Sequence, residues 1–144
     1  MNTYINKTHL GIAVVSLLIN WPVFAAESWR AMPNTNSNIL FSIDENSLIK
    51  KDNIVRFTEK LVYVVPEIKD SSSGKMVKEK VVYRVMHCKD NTQAYLRARL
   101  IDVDNKLIEE QFLDEEKLSM VPVPPGSLAD IELKWACGKG KQWQ

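Results

Sequence analysis

Apolar and polar side chains alternate along much of the chain, a pattern that predicts β-strands with one buried face each. The clearest run spans residues 55–65, where the odd positions are apolar except for Glu59. A second run, residues 93–103, places Ala94, Leu96, Ala98 and Leu100 on one face. Residues 80–88, rich in Val and Tyr, read as another strand. The full set of predicted strands is residues 28–32, 39–43, 55–65, 80–88, 93–103 and 106–113.

Short connections join these strands. Residues 66–79 contain the turn-forming run Asp70 to Gly74 and predict a hairpin loop. Asp104 and Asn105 predict a two-residue turn, because both tolerate positive backbone angles. Sequential strands joined in this way pair as antiparallel neighbours, so the pattern indicates a meander of five or six strands.

The pattern changes after the proline-rich segment at residues 122–125, where a single helix is predicted. Ser127 is a good N-cap and Asp130 favours the positive start of a helix that runs to about residue 136 and ends at Gly138. One apolar stripe on this helix, which should pack on the sheet, is formed by Leu128, Ile131 and Trp135. Glu132 interrupts the edge of the stripe without an evident reason. The fold class is therefore α+β, a single antiparallel sheet with a C-terminal helix on one face.

The first 25 residues read as an export signal. Lys7 precedes an apolar run at residues 11–19 that is too short to span a bilayer, and small residues follow at the junction. Cleavage is expected after Ala25 or Ala26. The prediction divides the chain into a signal peptide at residues 1–25, one domain at residues 26–138 and a short tail at residues 139–144.

Two cysteines, Cys88 and Cys137, are the only ones in the chain. In an exported protein such a pair predicts a structural disulfide, which would tie the helix to the sheet. The alternative is a catalytic thiolate with His87 as its base. Neighbouring strand residues point to opposite faces, which disfavours that dyad.

Charge and residue chemistry argue against several classes of function. Removal of Lys7 with the signal leaves 18 basic and 18 acidic residues, and such a balance disfavours nucleic-acid binding. Once the predicted signal is removed, His87 is the single remaining histidine, so no multi-histidine metal site is predicted. No cofactor is predicted either. The acidic residues at 109–110 and 114–116 read as a solvated strand edge. No buried carboxylate or histidine cluster is evident, and we predict a protein that is not an enzyme.

Contact with another protein is the remaining class. The loop predicted between the strands at residues 55–65 and 80–88 carries basic residues, and loops on rigid scaffolds often bind partners. An aromatic residue in the tail could also dock on a partner. The contact candidates are Lys69, Lys75, Lys78, Lys80 and Trp143.

One set of residues and motifs is distributed over most of residues 28–138: Trp29, Cys88, the run Val-Pro-Pro-Gly-Ser at 123–127, and Trp-Ala-Cys-Gly at 135–138. In this set the sequence resembles the surface-adhesin protein E family of Gram-negative bacteria. The resemblance implies an antiparallel sheet with a disulfide-tied C-terminal helix, and frequently a homodimer. It also implies an adhesin, since the best-studied member binds host matrix and serum proteins such as vitronectin, laminin and plasminogen.

One departure from the family opens a second hypothesis. The adhesin is lipid-anchored, whereas this chain has no cysteine at the predicted cleavage junction. A soluble periplasmic or secreted product, with no transmembrane segment after signal cleavage, is therefore expected over surface display. The alternative to an adhesin-like module is thus a periplasmic inhibitor or envelope-stress protein with a bacterial partner.

Overall fold

The computed structural model describes residues 26–34, 36–66, 70 and 72–139, so the predicted signal peptide lies outside the described residues. Seven strands and one α-helix form the fold, with a short 3-10 helix at Glu115–Lys117 between the last two strands. The strands are β1 Trp29–Ala31, β2 Ile39–Lys51, β3 Ile54–Tyr63, β4 Val77–His87, β5 Thr92–Asp102, β6 Leu107–Phe112 and β7 Val121–Pro122; the helix is α1 Leu128–Lys139.

The strands form one antiparallel sheet in sequence order from β1 to β6, with β7 paired to β5. This confirms the predicted α+β class and the meander. β6 occupies one part of the edge of β5 and β7 pairs with Thr92 and Gln93. Sequence alternation did not reveal β7, because a strand of two residues has no period to read.

Directly paired residues on adjacent strands point to the same face of the sheet. Following the pairs from strand to strand therefore gives rows of side chains that lie on one face. One row runs across six strands, and a second row lies beside it on the same face. The first is Trp29, Asp44, Thr58, Tyr83, Arg97 and Phe112, and the second is Ala31, Ser42, Lys60, Val81, Arg99 and Glu110. We call these two rows the open face, because helix α1 packs on the opposite side.

Helix α1 covers the other side of the sheet, which we call the helix face. Phe57 and Trp135 meet there edge to face, with ring centroids 6.4 Å apart. The buried core around them also contains Ile43, Val55, Met86, Leu133 and Ala136. Leu128, Ile131 and Trp135, the predicted stripe, are only partly buried, and the centre of the buried stripe lies at Glu132, Leu133 and Ala136.

The ends of the helix follow the predicted chemistry with one difference. Ser127 Oγ accepts a hydrogen bond from the Asp130 amide at 3.2 Å, and Asp130 Oδ2 accepts one from the Gly126 amide at 2.9 Å. This reciprocal cap confirms Ser127 as N-cap. The prediction ended the helix at Gly138, whereas the helix continues through Gly138 to Lys139. Lys50 Nζ donates to the Cys137 carbonyl at 3.1 Å and stabilises the last turn.

The predicted disulfide is present. Cys88, one residue after β4, bonds Cys137 of α1, and their Cα atoms are 5.7 Å apart. Neither sulfur is free, which removes the thiolate of the alternative dyad with His87.

Strand β5 differs from its predicted alternation. Tyr95 pairs with Arg84 and Arg97 pairs with Tyr83, so Leu96 is an extra residue in the ladder. This bulge reverses the alternation. Ala98 and Leu100 consequently lie on the helix face, whereas Ala94 lies on the opposite side; the prediction of one continuous apolar face was wrong.

Strand β2 extends to Lys51, beyond the predicted residues 39–43, and its pairing with β3 is irregular between Asp44 and Ile49. Within that stretch, Ser47 Oγ accepts a hydrogen bond from the Thr58 amide of β3 and donates one to the Asp44 carbonyl, both at 2.7 Å. The serine side chain thus replaces a missing ladder bond.

Two loop predictions also need correction. β4 begins at Val77, so residues 77–79 belong to a strand and not to the loop. At the other hairpin, the Asp102 amide donates to the Lys106 carbonyl and only Asn105 has a positive φ, of 60°. The turn is therefore three residues long with one left-handed position.

Among the residues that the structure describes, no helix is both long enough and apolar enough to cross a bilayer.

Candidate functional site

The open face carries aromatic and basic side chains side by side. Its first row contributes Trp29, Tyr83 and Phe112, and its second row contributes Lys60 and Arg99. Phe112 is 66% exposed. Aromatic residues and Arg are enriched at the energetic centres of protein interfaces, so the composition is that of a contact surface.

Cation–π contacts hold some of these groups in place. Lys60 Nζ lies 3.9 Å from the centroid of the Trp29 ring, and the Arg97 guanidinium carbon lies 5.0 Å from the Phe112 ring. The Trp29 indole also donates to Glu27 at 2.8 Å. Trp29 is therefore positioned by Lys60 two strands away and by Glu27, and Phe112 by Arg97 of the adjacent strand.

Two arginines on the open face share one carboxylate. Arg97 Nε lies 2.7 Å from Glu110 Oε1, and Arg99 Nε lies 3.4 Å from the same oxygen. The side chain of Arg97 is 47% exposed and that of Arg99 is 41% exposed. One carboxylate facing two guanidinium groups leaves a local excess of positive charge.

A shallow recess lies between these rows. Its volume is about 260 Å³, and it is lined by Glu27, Thr58, Val81, Tyr83, Arg97 and Arg99. Beyond it, the 3-10 helix approaches the sheet where Glu115 pairs with Arg56. Val85, in the same row as Arg56, is only 2% exposed. The segment between β6 and β7 thus contacts this side of the sheet at the end where Val85 is buried.

The predicted contact lysines that the structure describes are divided between a loop and strand β4. Lys75 is an exposed loop residue, whereas Lys78 and Lys80 belong to β4. Lys78 Nζ bonds Asn105 Oδ1 at 3.2 Å, and Lys80 lies on the helix face opposite Leu100. Lys69 and Trp143 lie outside the described residues.

A buried carboxylate cluster, which the sequence reasoning did not foresee, lies under the helix. Glu59 of β3 is 2% exposed and Glu132 of α1 is 1% exposed. Arg84 Nε lies 3.0 Å from Glu59 Oε2 and 3.4 Å from Glu132 Oε2. Arg84 also donates to Gln93 through Nη1 and to Glu59 Oε1 through Nη2. The expectation that no buried carboxylate cluster exists was wrong.

The two carboxyls of this cluster are not equivalent. Burial raises the pKa of Glu132 to about 10, and a hydrogen bond with Glu59 and its negative charge add to the effect, while Arg84 opposes it. Glu132 is therefore protonated at neutral pH. Glu132 therefore adds no negative charge beside the Arg84 guanidinium at neutral pH.

Both acids left a trace in the sequence. Glu59 falls among the apolar odd positions of its strand, and Glu132 interrupts the helix stripe. A carboxyl at a core position indicates a buried polar partner. Two such positions, together with Arg84 on the strand next to that of Glu59, were the sequence signal for this buried cluster.

The other acidic candidates have surface partners. Glu110 pairs with the open-face arginines, and Glu115 pairs with Arg56. His87 is partly buried, with Nδ1 3.9 Å from Asp90 Oδ2. Across the described residues, no group of three or more His, Cys, Asp or Glu side chains is placed to hold a metal ion.

A scan of protein-family models finds no match to the sequence, and a search of curated proteins finds none either. Solved structures do match. One of Haemophilus influenzae protein E is 14% identical, has a TM-score of 0.55, and covers 85% of this chain and 95% of its own. Crystal form II of that protein is 12% identical at a TM-score of 0.55, with 82% and 93% covered.

A further structure, of protein E from non-typeable Haemophilus influenzae, is 11% identical with a TM-score of 0.50 and covers 83% of this chain and 89% of its own. The TM-scores show that the fold is shared. Sequence identities this low show nothing about activity. The chain thus has the fold of protein E, in agreement with the resemblance read from its sequence.

Proposed function

We propose that the protein is an exported, non-catalytic protein-binding module and that its open face makes the contact. The observation that carries the proposal is the row of Trp29, Tyr83, Arg97 and Phe112 on the side of the sheet away from helix α1. Fixed aromatic rings bury much area at low entropic cost, and neighbouring arginines add direction. The fold of protein E supports an adhesin-like role.

The two arginines at one end of this face favour a carboxylate on the partner surface. Arg97 and Arg99 share only Glu110, so an incoming carboxylate would find a guanidinium that is not fully neutralised. The partner is a host matrix or serum protein in the adhesin reading, and a periplasmic protein in the alternative. The same face serves either partner.

The test is binding of the exported chain to immobilised vitronectin, laminin and plasminogen, with a periplasmic extract as a parallel arm. The double variant Tyr83→Ala, Arg97→Ala removes the centre of the open face. We expect at least a tenfold loss of affinity for the partner. Saturable binding to a host protein supports the adhesin reading, and a single stoichiometric partner from the extract supports the periplasmic one.

The matched control is Tyr95→Ala with Lys80→Ala, which removes a tyrosine and a cation from the helix face. It should leave affinity unchanged. If the control pair weakens binding and the open-face pair does not, the partner binds the helix face and our assignment of the contact to the open face is wrong. If neither arm yields saturable binding, the proposed function is wrong.

A further inference from the structure

A second recess lies on the helix face, between the start of α1 and strands β2 to β5. Its volume is about 370 Å³, within the usual range of small-molecule sites, roughly 300–1,000 Å³. Its apolar walls include Phe41, Leu61 and Leu128. Its most buried polar residues, Glu59 and Glu132, form the floor. The recess is thus apolar at its sides and acidic at its base.

Arg84 lines the same floor, but its nitrogens are already engaged. Nε and Nη2 donate to Glu59, and Nη1 donates to Gln93. An anionic ligand would therefore compete with the carboxyls already bound to this guanidinium. The floor does not favour an anion.

Glu132, in contrast, favours a ligand that donates hydrogen bonds. Its Oε1 atom is fully buried and accepts no hydrogen bond from any other described residue. The Arg84 guanidinium faces the other oxygen, Oε2, with its Nε at 3.4 Å, and supplies no donor to Oε1. A buried acceptor without a donor is costly, and a ligand that brings N–H donors would remove that cost.

We propose that this recess binds a small amphipathic amine. Its ammonium group occupies the floor beside Glu59 and Glu132, and its alkyl part lies against Phe41, Leu61 and Leu128. Glu132 releases its proton to solvent on binding, so that two carboxylates face two cations, the ammonium and the guanidinium of Arg84. No covalent bond changes.

The surrounding charges are consistent with this exchange. Strand β3 contributes Glu59, β4 contributes Arg84, and β5 contributes the neutral Gln93. On the helix, Asp130 and Lys134 pair with each other at 2.8 Å. Because Glu132 holds its proton at neutral pH, amine binding should strengthen as pH rises from 6 to 8.

The probe is n-hexylamine, with hexan-1-ol and hexanoate as comparison ligands, titrated into the isotope-labelled protein and followed by amide NMR at pH 7. We expect saturable shifts near Leu128 and Glu59 with hexylamine, at least tenfold weaker binding of the alcohol, and no binding of hexanoate. Equal binding of the amine and the alcohol, tighter binding of hexanoate, or no saturation with hexylamine would overturn the proposal.

The test variant is Glu132→Gln, which should weaken hexylamine binding at least tenfold. Its control, Glu110→Gln, removes a carboxylate from the open face and should have no effect. If Glu132→Gln fails to fold, calorimetry of the wild-type protein in two buffers of different ionisation enthalpy still decides. Release of close to one proton per bound amine supports the proposal, and release of none contradicts it.

Discussion

Glu59 of strand β3 and Glu132 of helix α1 come from different layers of the fold and share one guanidinium, that of Arg84. Both acids are almost completely buried. A polar bridge of this kind joins the helix to the sheet at a distance from the disulfide, which joins them near the other end of the helix. The bridge makes the stability of the domain dependent on protonation.

We predict that the protein becomes less stable as pH rises from 5 to 8. In the unfolded chain Glu132 loses its proton near its ordinary pKa of about 4.3, whereas in the folded state its pKa is raised to about 10. Between these values the folded state holds more protons. The free energy of unfolding should then fall with pH, by up to about 1.4 kcal/mol per pH unit from this group. Urea unfolding at several pH values measures the slope.

Glu132→Gln provides the control for this slope. The amide stays neutral at every pH and keeps a hydrogen-bonding side chain beside Glu59 and Arg84. The variant should show a flatter stability profile and exceed the wild type at pH 8. Parallel profiles for the two proteins would show that Glu132 does not hold the proton.

Removing the shared cation should be far more damaging than removing a surface cation. Arg84→Met leaves Glu59 and Glu132 buried without a positive partner, and we expect a loss of about 3–5 kcal/mol in the free energy of unfolding. Arg97→Met, at an exposed ion pair, should cost less than about 1 kcal/mol. Chemical denaturation at pH 7 compares them, and equal losses would contradict a structural role for Arg84.

The disulfide should contribute through the loop that it closes. Cys88 and Cys137 are 49 residues apart, a separation for which the chain-entropy account gives about 4 kcal/mol. The double variant Cys88→Ser, Cys137→Ser should lose stability of this order, as should the wild type under a reducing agent. A reduced protein that unfolds at the same urea concentration as the oxidised one would refute this.

Ser47 should contribute to the stability of the domain although it lies in the irregular part of β2. Ser47→Ala leaves the Thr58 amide without the acceptor 2.7 Å away, and we expect a cost of about 1–3 kcal/mol. Hydrogen exchange at the Thr58 amide should accelerate in the variant. Ser42→Ala, on the same strand and in the regular part of the ladder, is the control and should change stability little.

The meander, the capped helix and the disulfide could be predicted because each depends on local signals. Alternation around Phe57 marked a strand, Ser127 marked a helix start, and two cysteines left one possible pairing. The bulge at Leu96 could not be predicted in this way, since an inserted residue reverses the alternation only where the neighbouring strand defines the register.

The cluster of buried acids could not be predicted from the sequence for a different reason. Glu59 and Glu132 are 73 positions apart in the sequence, and each alone looks like a flaw in an apolar face. Only their meeting with Arg84 explains why both are tolerated, and that meeting depends on how the helix docks. The open face was missed for a similar reason, because Trp29 and Phe112 belong to opposite edges of the sheet and one row connects them only after pairing.

The disulfide also determines how the molecule responds to a protease. The stretch between β6 and β7 is largely exposed, and exposed connecting segments are preferred places for peptide-bond cleavage. A single cut there would separate the backbone of the helix from that of the first six strands, yet Cys88 would still hold the two fragments as one molecule. Such a nicked protein would migrate intact on a non-reducing gel and separate into two bands only after reduction.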